Sequence, residues 1–132
     1  MDVFKNNPFL GHITTFGGHP VCCASAMASL QVLLQEDWIA QVKTKEQLFL
    51  RLLKHPAIRS INHKGLWMAL VFKNFEQNKA IIDRCIANGV ITDWFLFADN
   101  RLRIAPPLII SEAQIEQACA IILQSIEEAV GY

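Results

Sequence analysis

Residues 66–72 read Leu-Trp-Met-Ala-Leu-Val-Phe, an unbroken apolar run, and no other stretch constrains the fold as strongly. The run has strand length and lacks the polar alternation of a strand with one wet face. Such a strand belongs in the middle of a sheet, with cover on both faces. The cover must come from amphipathic helices, and the flanking sequence supplies them.

Pro20 suits the first position of a helix, where its missing N–H costs nothing. The residues behind it predict a helix over 20–35, with Ala26, Leu30, Leu33 and Leu34 near one face. Asp37 resembles an N-cap for a second helix over 38–54. Ile39, Val42, Leu48, Leu52 and Leu53 form its inner stripe, and Lys43, Lys45, Glu46 and Arg51 face water. His55-Pro56 stops it, because the residue before a proline avoids the α region.

A weak strand signal over 58–63 leads through a Lys64-Gly65 turn into the apolar run. Asn74 caps a helix over 75–87 carrying Ala80, Ile81, Ile82, Cys85 and Ile86. Asn88-Gly89 ends that helix, with glycine at the left-handed position. Residues 90–92 read as a short strand, and 93–100 as an aromatic segment closing in a turn. Residues 101–105 alternate as a strand that Pro106-Pro107 halts. Ser111 with Gln114 resembles a capping box, opening a last helix to about residue 130 with Ile115, Ala118, Ile122, Leu123 and Ile126 at helical spacing. The order, two helices, one or two strands, a helix, up to three strands and a helix, predicts an α+β two-layer domain. Its three- or four-stranded sheet has helices packed on it.

With 132 residues, 52% of them hydrophobic, the chain has material for one core. Twelve basic residues balance twelve acidic ones, which argues against nucleic acid as a partner. No apolar run reaches about eighteen residues and no leader pattern opens the chain, so no membrane partner is expected and the cytoplasm is the expected location. Cys22, Cys23, Cys85 and Cys119 lie in apolar, helix-like contexts and read as small buried hydrophobes. Neither they nor the four histidines show ligand spacing, so no metal is expected.

Two places carry chemistry. In residues 12–20 (HITTFGGHP), Thr14 and Thr15 offer hydroxyls, Gly17-Gly18 permits positive φ, and a helix N-terminus follows. Together these make an anion cradle, the alternative being an ordinary loop before a helix. Arg103 alternates with Leu102 and Ile104, and its planar fork suits a carboxylate; the alternative is a solvent-facing strand arginine. Arg101 reads as surface, and Trp94 and Phe95 as either a pocket wall or core.

The run HITTFGGHPVCCASAMASL resembles the H-x-T-T-[FY]-G-G-N-P-L-A-C-A-A-A segment of the class-III (ornithine/acetylornithine-type) aminotransferases, with His19 replacing the family's Asn. Residues 103–112 (RIAPPLIISE) resemble that family's R-[FILV]-x-P-P-L motif and the helix start after it. Lys64-Gly65-Leu66-Trp67-Met68 resembles its R-G-x-G-L-[MW] strand, and residues 87–91 its NGV[LI] helix end. The resemblance covers about residues 11–130 and implies the C-terminal small domain of a fold-type I transferase that uses pyridoxal 5'-phosphate (PLP). It makes residues 12–132 that domain and residues 1–11 an arm or stub of a missing large domain.

By the same resemblance, Thr15 bonds the phosphate of the neighbouring subunit's PLP, and Arg103 holds the α-carboxylate of the amino-acid substrate. The family's cofactor lysine lies on the large domain. Lys5 lacks its surroundings, so no catalytic residue is assigned and the chain alone is expected to be inactive. Expected partners are a second copy or a separately encoded large domain. The competing reading is a non-catalytic dimerisation or complementation module.

Overall fold

The structure, a computed structural model, describes residues 14–131. The chain divides into two compact units, residues 1–37 and 38–132.

In the first unit a turn over 15–18 leads into α1 (Pro20–Gln35), which begins at the expected proline. The helix rests on local propensity, being rich in good helix formers, and none of its residues is buried. Val21, Met27, Leu30 and Leu34 are exposed, and so are Cys22 and Cys23. The expectation of buried thiols therefore fails at these two positions, because α1 contributes to no core. It holds at Cys85 and Cys119, both buried. Burial raises the Cys85 thiol above its ordinary range and pushes Cys119 up to about 12. A thiol reagent at neutral pH should therefore modify Cys22 and Cys23 promptly, reaching Cys85 and Cys119 only after denaturant is added. Mass spectrometry of the alkylated chain checks this.

The second unit comprises α2 (Trp38–Leu52), β1 (Ser60–Lys64), β2 (Trp67–Val71), α3 (Phe75–Ala87), β3 (Asp93–Phe95), β4 (Ala98–Ile104) and α4 (Glu112–Val130). The strands form one antiparallel sheet in the order β1-β2-β4-β3, which bears out the α+β reading. Met68 pairs with Ile104 and Leu70 with Leu102, and these four point into the core. With them are buried Leu48, Phe49 and Leu53 of the α2 region, Ile81, Ile82 and Cys85 of α3, and Ile115, Ile122 and Ile126 of α4.

β2 is an interior strand, as its apolar run predicts, yet it is covered on one face only. Trp67 is 61% exposed, because the alternate side chains Trp67, Ala69 and Val71 share the opposite face with Arg101 and Arg103.

Other departures lie where polar side chains serve backbone groups. Lys45, expected in water, is 7% exposed and its Nζ donates to the Leu108 carbonyl at 2.7 Å. Glu46 is not a solvent residue either. Its Oε1 accepts the Gly65 amide at 2.7 Å and pairs with His63 Nδ1 at 2.8 Å, tying α2 to the β1–β2 turn. Gly65 has φ 58°, and a Cβ there would lie 2.7 Å from Val42 Cγ1, so only glycine fits this close approach. Ile39, placed in the inner stripe, is instead exposed.

The His63 hydrogen bond, aided by the Gly65 amide, holds the Glu46 carboxyl below its ordinary range. The unfolded chain therefore takes up this proton first. The contribution is present above the unfolded carboxylate value and is lost as pH falls through the lower folded one. Between about pH 5 and pH 3 the urea midpoint should fall less steeply in Glu46→Gln than in the parent.

Residues 90–92 form no strand. Val90 N–H closes on the Cys85 carbonyl at 2.8 Å, finishing the α3 end beyond Gly89, whose φ is 96°. Pairing begins at Asp93, and β4 starts three residues earlier than its alternation implies. Two of the three expected N-caps form: Asn74 accepts the Gln77 amide, and Ser111 with Gln114 completes a capping box.

Candidate functional site

The sheet's open face is built by alternation. β4 places Arg101 and Arg103 on it while burying Leu102 and Ile104. Opposite Arg103 stand Ala69 of β2 on one side and Asp93 of β3 on the other. The Arg103 guanidinium pairs with Asp93 Oδ2, with side chains 42% and 47% exposed. An ion pair this wet contributes at most about 1 kcal/mol. Thr92 Oγ1 donates to the Arg103 carbonyl at 2.5 Å, pinning the backbone behind the guanidinium. Arg103 is thus held at a fixed register with part of its donor fork open to solvent.

Ala69, Arg101, Arg103 and residues 95–98 line a cleft of about 370 Å³ on this face. Trp67 stacks on Phe95 with centroids 6.5 Å apart. Trp94 turns the other way and meets Phe75 edge-on at 5.5 Å, packing against the core. The pair therefore splits: Phe95 walls a cleft and Trp94 is core. Arg101 was expected on the surface. It is half-buried, and its Nε is buried with no hydrogen-bond partner among the described residues.

In the first unit, Thr15 is exposed at the start of the turn. Gly18 takes φ 77°, a backbone conformation that favours glycine, and a Cβ on Gly17 would fall 1.9 Å from the Thr14 hydroxyl, which would have to turn away. His19, in place of the family's Asn, makes no side-chain cap on α1, and the first turn of the helix carries no acidic residue. The leading N–H groups of α1 keep their donor capacity, as at any helix N-terminus without a side-chain cap. His12 lies outside the described residues. Asp93 was missed by sequence reading. Its signal was the Asp-Trp-Phe start of a strand whose partner register cannot be read from sequence. Among the described residues no group of His, Cys, Asp and Glu could hold a metal ion, and no helix is long and apolar enough to cross a membrane.

The fold is that of an aminotransferase small domain. An aminotransferase from Bacillus anthracis superposes with a TM-score of 0.76 at 26% identity, over 96% of this chain and 33% of that one. Ornithine δ-aminotransferase from Plasmodium falciparum gives 0.73 at 28%, over 89% and 31%. The family model for class-III aminotransferases matches residues 1–126, and the chain belongs to that PLP-dependent family. The acetylornithine aminotransferase of Haemophilus ducreyi is 33% identical over 118 residues, which is 89% of this chain and 29% of that protein. The chain thus spans a third or less of the length of these relatives.

Proposed function

We propose that this chain is the small-domain part of a class-III aminotransferase that moves an amino group between an amino acid or ω-amine and a 2-oxo acid. The observation that supports this most is Arg103, which β3 and β4 hold on an open sheet face with its fork toward solvent. There it receives the substrate carboxylate bidentately. Thr15 bonds the phosphate of a PLP bound by a neighbouring subunit. When bound, PLP supplies an electron sink for the carbon that bears the amino group. The lysine that anchors it comes from a large domain outside these 132 residues, so the chain alone does not transaminate; the complete enzyme works in the cytoplasm.

The test is a chimera in which residues 12–132 replace the matching third of the Haemophilus ducreyi acetylornithine aminotransferase. Transaminase activity that depends on Arg103 supports the reading. An active chimera indifferent to Arg103 overturns it.

A second reading, an association module, is favoured by α1. Its apolar Val21, Met27, Leu30 and Leu34 are exposed, as is Phe16 before it, a surface that favours self-association or capture by a large domain.

A further inference from the structure

We infer that α1 is a self-pairing helix, whose Cys23, Met27, Leu30 and Leu34 form a seam that packs antiparallel on the same seam of a second copy of this chain. The inference rests on the association reading of α1 and names its partner and its contact residues.

Residues 23, 27, 30 and 34 are separated by four, three and four positions. That spacing keeps one line of side chains facing a partner helix. At 3.6 residues per turn the four fall within about 60° of arc, and the opposite side of the helix carries Ser25, Ser29 and Val32. Met27 is 58%, Leu30 51% and Leu34 73% exposed, and Cys23 is exposed with them.

A second copy is the occupant this surface favours. Residues 20–35 contain no charged side chain, so two such helices meet without desolvating an ion or opposing like charges. Antiparallel pairing sets Met27 against the partner's Leu30 and Cys23 against the partner's Leu34, small against large. Parallel pairing would set Cys23 on Cys23 and leave a gap. The helix has 16 residues and is about 24 Å long. One seam on another therefore buries on the order of 900 Å² in total, within the range of weak, reversible interfaces. The pair forms at micromolar concentration and exchanges.

Cys22 and Cys23 report on this contact. They are neighbours in sequence, yet a turn of about 100° per residue puts Cys23 on the seam and Cys22 outside it. Sedimentation equilibrium of the reduced 132-residue chain, from about 5 to about 500 µM, should pass from monomer to dimer. Over the same range, alkylation of Cys23 should slow about fivefold while that of Cys22 stays constant. Leu30→Glu should leave the chain monomeric throughout. Val32→Glu adds the same charge on the opposite side and should leave the dimer in place. Both variants keep a good helix former in α1. A dimer that survives Leu30→Glu, or equal protection of the two cysteines, overturns the seam and leaves the association reading standing. A chain that is monomeric at every concentration overturns the seam and self-association together.

Discussion

Phe49→Ala should lower the unfolding free energy of the chain by about 3–5 kcal/mol. Phe49 is 1% exposed and packs in the cluster that joins α2 to β2, β4 and α4. Removing its ring forfeits the transfer free energy and leaves a cavity that the helices and the sheet cannot close without moving one another. A domain of this size holds about 5–15 kcal/mol in total, so the variant should sit near its denaturation midpoint at modest urea concentrations. Ile39→Ala on the same helix is the control. Ile39 is 58% exposed, and its truncation should cost under about 0.5 kcal/mol. A Phe49→Ala loss no larger than the Ile39→Ala loss would mean that α2 does not bury this ring.

The contrast between those two residues shows what periodicity can and cannot tell. Helical spacing located α2 and its general inward direction, but Ile39 and Leu48 carry the same signal. Only the position of the β1–β2 turn and of the segment around Leu108 decides which turns of the helix are covered. Lys45 and Glu46 were misplaced for a related reason. Their side chains serve the Leu108 carbonyl and the Gly65 amide, acceptors and donors from segments 63 and 19 residues away. No local pattern announces a partner at that distance.

The helices α1 and α3 were legible residue for residue, because Pro20, Asn74 and Asn88-Gly89 mark boundaries by backbone chemistry alone. The β3–β4 hairpin was not. Its two-residue turn is Leu96-Phe97, without the Gly, Asn or Asp that normally announces such a turn. Asp99-Asn100, which has that chemistry, lies inside β4. The turn was therefore sought three residues too late, and the aromatic segment before it was not recognised as a strand. The same slip hid Asp93, since its place opposite Arg103 follows only from the pairing and from a register shift at Trp94/Phe95. Arg103 itself was readable because alternation with Leu102 and Ile104 fixes its face whatever the partner.

In the chimera carrying residues 12–132, Arg103→Gln should reduce kcat/KM for a carboxylate-bearing substrate about 100-fold, and most of the loss should appear as a raised KM. A charge-assisted, bidentate contact is worth about 1.5–3 kcal/mol, and each 1.36 kcal/mol corresponds to a factor of ten. Arg103→Lys should recover only part of this, because an ammonium keeps the charge and loses the planar fork. Asp93→Asn should move KM the other way. The Asp93 carboxylate competes with the substrate's for the same guanidinium, and removing its charge frees the fork. That gain should stay within about fivefold, since both side chains are more than two-fifths exposed and the pair is weak in water. Opposite shifts at two residues facing each other across one strand pair would be hard to obtain from mere structural damage. If Arg103→Gln and Asp93→Asn instead raise KM together, the pair serves the β3–β4 hairpin rather than the substrate.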